Sequence, residues 1–152
     1  MDKADFDAIG GFSSVWSRVS GQPVSLTELA DSAERQHELL CALARRCPQA
    51  SSKLMGLARG EASLICRLCA EHFLESGEEY TPAPACAVVR GALCAMREAW
   101  LNSGSIASRL SDAANSASGE LRGALDCLAA GESARTRALR ELLLRELGAN
   151  CS

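Results

Sequence analysis

Apolar residues recur at intervals of three and four over four long stretches of the chain, the spacing of one face of an α-helix. The first stripe reads Leu26, Leu29, Ala33, Gln36 or His37, Leu40, Leu43 and Cys47, and the second Leu54, Leu57, Glu61, Leu64 and Leu68. The third reads Leu93, Met96, Trp100, Ser103, Ile106 or Ala107, Leu110 and Ala114; the fourth reads Leu121, Leu125, Leu128, Glu132, Arg135, Leu139 and Leu142. Punctuation sets the boundaries. The Ser25 hydroxyl can cap the first helix, with Glu28 completing an S-x-x-E box, and Pro48 stops it. A second helix follows over 51–76 and Gly77 ends it, so short a turn forcing the two to run antiparallel. The connector 77–85, GEEYTPAPA, divides this hairpin from a second one, with helices over 86–115 and 119–147 and a tail at 148–152. Gly104 falls inside the third helix, where it costs about 1 kcal/mol relative to Ala and permits a close helix approach. At 1–22 a leader carries Phe6, Ile9, Phe12, Val15, Trp16 and Val19 at helix-like spacing, which predicts a short amphipathic helix on the main body.

These elements predict an all-α fold: an up-and-down four-helix bundle over 23–147 with a short helical leader. Composition agrees, with aromatics at only 4% and Ala, Leu, Arg and Glu abundant. A chain of 152 residues with 47% hydrophobic content supports one domain with a real core. Its net charge of -3, from interspersed acids and bases, offers no basic stripe, so nucleic acid is not an expected partner. No apolar run approaches the roughly 20 residues that span a bilayer, and the N-terminus lacks a secretion signal, so neither a membrane nor export is expected and the expected location is cytoplasmic. The eight cysteines are then read as reduced, small, buried thiols.

Two residues break the apolar pattern in a way that calls for chemistry. Glu61 and Glu132 sit in mid-stripe, where a bundle core does not keep a carboxylate without a partner. Glu132 arrives with Arg135 one turn later on the same face, while Glu61 has no base on its own stripe and must find a cation on another helix or bind an ion.

The segment ARGEASLICRLCAEHFLESGEEYTP (58–82) resembles the second helix and following loop of rubrerythrin-type ferritin-like proteins, and AAGESARTRALRELL (129–143) is similar to their closing E-x-x-H helix. The resemblance implies a ferritin-like bundle that holds two iron or manganese ions through one Glu from each of two helices and a Glu-x-x-His pair from each of the others. It places Glu61 and Glu132 at two of those ligands, but Leu64 and Arg135 at the histidines, and Ala33 and Ser103 at the lone glutamates. A slip of one residue would bring Glu34 or His37 to the first helix's ligand position. Without its metals, the pair of surviving acids is expected to close on Arg135 as a core ion cluster of Glu61, Glu132 and Arg135. No cofactor is then expected, the alternative being iron or manganese held by Glu61 and Glu132 with Glu34 or His37.

Cys66, Cys69 and His72 form a C-x-x-C-x-x-H on one helix. Residues so spaced drift off a common face and lack the helix N-terminus that activates C-x-x-C thiols, so packing is the expected role and thiol-based sensing a third option. With two histidines in the whole chain and no glycine-rich phosphate loop, hydrolase and nucleotide chemistry have little material. The function expected is that of a non-catalytic structural or interaction protein, which the resemblance implies to be a homodimer, its other partners unspecified; a divergent metal-binding protein handling peroxide or iron is the alternative.

Overall fold

The computed structural model describes residues 24–151, with the side chains of 24–149; the expected leader lies outside the described residues. Among these residues the chain forms α1 (Leu26–Arg46), α2 (Ser51–Ser76), α3 (Ala92–Ser116) and α4 (Gly119–Cys151), one 3-10 turn at Pro48–Ala50, and no strand. This is the all-α four-helix bundle that the periodicity predicts. None of the helices is long and apolar enough to cross a membrane.

Local chemistry sets the helix ends. The Ser25 hydroxyl accepts the Glu28 N–H at 3.4 Å, which supplies one half of the expected capping box. Arg45 and Arg46 fall in the last turn of α1, where the helix dipole favours positive charge. Gly77 closes α2 in the left-handed region at φ 75°, a conformation that glycine adopts without steric cost. α4 continues to Cys151, through the tail expected at 148–152.

The connector between the hairpins differs most from expectation. It occupies 77–91, and α3 begins at Ala92 rather than at 86. Two prolines, the β-branched Val88 and Val89, and a tether from α1 hold these residues out of helix: the Arg46 guanidinium donates to the carbonyls of Val89 (2.5 Å) and Arg90 (3.5 Å). At its other end Tyr80 donates to both oxygens of the Asp31 carboxylate at 2.7 and 2.8 Å, and the Ala83 N–H adds a third bond at 3.2 Å. Asp31 and Arg46 stand about 22 Å apart along α1, so the connector crosses the length of the bundle. In consequence α2 and α3 run in the same direction, and the order is up, down, down, up rather than strictly up and down. Tyr80→Phe removes the hydroxyl whose one proton is shared between the two Asp31 oxygens and is expected to lower the urea midpoint without changing helix content, as read by circular dichroism.

Helices α1 and α2 pack closely, as do α3 and α4; α1 lies against α3, and α2 meets α4 along a thinner seam. The core is divided. Leu40, Leu43, Leu54, Ala58, Met96, Ala99 and Leu139 build a cluster at the end that holds the α1–α2 turn. Leu29, Ala33, Leu64, Leu68, Ile106, Leu110 and Leu125 build another at the opposite end.

Candidate functional site

Between the two apolar clusters each helix contributes one buried polar side chain: Gln36 from α1, Glu61 from α2, Ser103 from α3 and Glu132 from α4. Their level follows from the hairpins. Gln36 and Glu61 lie equally far from the first turn, and Ser103 and Glu132 equally far from the second, so antiparallel pairing brings all four into one layer.

Arg135 closes this layer from the α2–α4 seam. Its Nε donates to Glu61 Oε2 and to Glu132 Oε1, each at 3.2 Å, and Nη2 donates to Glu132 Oε1 at 2.7 Å. The Ser103 hydroxyl donates to Glu132 Oε2 at 2.5 Å and is itself bonded to Thr136 Oγ1 at 2.7 Å. Glu132 therefore receives both arginine nitrogens and a hydroxyl, whereas Glu61 receives one bond and its Oε1 has no partner. Gln36 Nε2 donates to the Ala99 carbonyl at 2.7 Å, and its Oε1 is likewise buried without a partner. The layer is thus rich in acceptors and short of donors.

Protonation follows from that imbalance. Burial pushes the Glu61 carboxyl up to about 9, and the hydrogen bond and negative charge of Glu132 add to the rise; Arg135 opposes it without prevailing. The rise favours a proton on Glu61 at neutral pH, so that the pair of acids carries one negative charge against Arg135, and the donors of Arg135 and Ser103 converge on Glu132. Two carboxylates and one guanidinium would leave an uncompensated charge in the core, and the proton removes it.

The seam fits the arginine closely. A Cβ on Gly60 would stand 2.9 Å from Arg135 Cδ and Nη1, so the absence of a side chain there lets the guanidinium lie across α2. Gly60→Ala is expected to displace Arg135 and destabilise the protein by about 1 to 3 kcal/mol, which a urea denaturation curve would show.

The remaining sequence candidates do not join this layer. Ala33, expected at the first helix's lone-glutamate position, lies in the apolar cluster at the end away from the α1–α2 turn, because that turn sets Gln36 level with Glu61. Glu34 and His37 lie together with Glu38 on a half-buried face of α1 rather than with Glu61 and Glu132. Cys66, Cys69 and His72 do not converge among the described residues: Cys66 is exposed, Cys69 half-buried with its thiol pushed up by burial, and His72 Nε2 pairs with Ser76 Oγ at 3.3 Å. The seven described cysteines are free, but four of them (66, 86, 94 and 127) are exposed, where buried thiols were expected. They fall on outward helix faces or in the crossover, positions that the stripes leave to solvent. Gln36 and Gly60 are the layer's residues that sequence reading left unassigned. The signal for Gln36 is that it interrupts its stripe at the same distance from the first turn as Glu61 does on the other side, as Ser103 and Glu132 do about the second turn.

Comparison with protein-family models, curated proteins and solved structures gives no match.

Proposed function

We propose that this chain is a non-catalytic bundle of ferritin-like type, a cytoplasmic structural or interaction protein, in which an arginine has taken the place of a dimetal centre. The observation that carries the reading is Arg135 Nε seated 3.2 Å from both Glu61 Oε2 and Glu132 Oε1. The residues present do not fit a pair of ions. The positions at which the ferritin-like pattern has histidines are Leu64 and Arg135, and its lone glutamates correspond to Gln36 and Ser103. Mid-bundle carboxylates, a polar residue from every helix and the long crossover support descent from such a centre. Self-association as a homodimer belongs to the same proposal, and sedimentation velocity of the full chain tests it.

The second reading, a divergent iron- or manganese-binding protein, draws on Glu61 Oε1 and Gln36 Oε1, two buried oxygens free to accept. It requires Arg135 to leave the seam. Loading the purified chain with ferrous iron and with manganese, desalting and measuring metal content decides between the two, with Glu61→Gln and His37→Ala as companions. The proposal expects no bound ion whose retention depends on Glu61. One or two ions per chain that Glu61→Gln releases and His37→Ala retains would overturn it.

A further inference from the structure

On the side of α1 away from the polar layer, Glu34, His37 and Glu38 place one donor atom each within 4.8 Å of one another. His37 and Glu38 follow Glu34 by three and four residues, the spacing that stacks side chains over one helical turn. The imidazole is oriented by its neighbour on the next turn: Nε2 lies 3.7 Å from Cys41 Sγ, within hydrogen-bond reach of sulfur. In the tautomer that carries its proton on Nε2, that proton points at the thiol and Nδ1 presents a lone pair; Nδ1 is buried with no hydrogen-bond partner. Glu38 Oε2 stands only 3.4 Å from it. In that tautomer a lone pair faces two carboxylates, an arrangement that a bound cation relieves, whereas a proton on Nδ1 would instead pair with Glu38.

We propose that Glu34, His37 and Glu38 form a binding site for a single divalent transition ion of the zinc or cobalt class. One imidazole nitrogen and two carboxylate oxygens make a three-ligand set that such ions accept, water completing the shell on the half-exposed side. The Nε2–H···S contact then acts as the outer-shell bond that holds a ligating imidazole in its tautomer and orientation. A hard, fully hydrated ion such as magnesium gains little from the nitrogen, which sets the selectivity. The site is independent of the Glu61, Glu132 and Arg135 layer and does not rest on the function proposed above.

Calorimetric titration of the full chain with cobalt chloride near neutral pH tests it, with the cobalt absorption spectrum recorded alongside. One ion per chain is expected, with affinity at least tenfold weaker in His37→Ala and in Glu34→Gln, and unchanged in Glu61→Gln. Circular dichroism of the two α1 variants establishes that each is folded. Acidification is expected to release the ion as protons compete for the ligand atoms. No binding to the wild-type chain, equal binding to folded His37→Ala, or loss of binding in Glu61→Gln would each overturn the assignment.

Discussion

Arg135→Ala is expected to destabilise the protein by about 3 to 5 kcal/mol, the cost of stripping the partner from a buried charge. Glu132 is fully buried, and after the substitution only the Ser103 hydroxyl would remain on its carboxylate from the present set of three donors. The vacated seam over Gly60 admits water, which lessens the penalty but also opens the boundary between the two apolar clusters. Thermal or urea denaturation reads the loss directly. Arg135→Lys is expected to recover only part of it, because an ammonium lacks the planar fork that reaches both acids.

The second large effect is an asymmetry between two acids of the same cluster. Glu132→Gln removes the negative charge that faces Arg135 and is expected to cost about 3 kcal/mol or more. Glu61→Gln replaces a group that is already neutral at pH 7 by one of the same shape, and its amide can supply a donor where the layer lacks one, so it is expected to cost under about 1 kcal/mol. The two variants also separate in their pH dependence. Glu61 binds its proton up to about pH 9 in the folded chain, against about 4.3 when unfolded. The folded state therefore holds a proton that the unfolded state has released across that window. The stabilisation is fully present below the unfolded value, declines as pH rises through the window, and levels off above pH 9. Wild-type stability measured relative to Glu61→Gln is expected to fall steadily between pH 5 and pH 9. A flat difference would place the proton elsewhere.

Much of this arrangement is legible along the chain because a bundle repeats one rule four times. Each helix needs an apolar stripe, so Glu61 and Glu132 stand out against Leu64, Leu68, Leu125 and Leu139, and Arg135 falls on the stripe of Glu132 by helical spacing alone. The helix ends marked by Ser25, Pro48 and Gly77 are local chemistry, and local chemistry is what a sequence states most directly. Long-range contacts account for what was hidden. The crossover is extended because Asp31 and Arg46, 15 residues apart on α1, bind Tyr80 and Val89, and no periodicity in 86–91 announces those bonds. The choice of Gln36 over Ala33 depends on where the hairpin turn sets the level of α2, a register that one stripe does not contain. The proton on Glu61 depends on the number of donors that three other helices bring to it.

The claim that Arg135 and Glu132 balance each other in the core, in place of any ion, is met most directly by a double-mutant cycle with Arg135→Leu and Glu132→Leu. Arg135→Leu leaves Glu132 without its cation and Glu132→Leu leaves Arg135 with the single bond to Glu61, so each is expected to be destabilising, while the double variant removes both charges and is expected to lie within about 2 kcal/mol of wild type. The predicted result is a coupling of several kcal/mol. Additive losses would contradict the account, since they would mean that each side chain answers to a different partner.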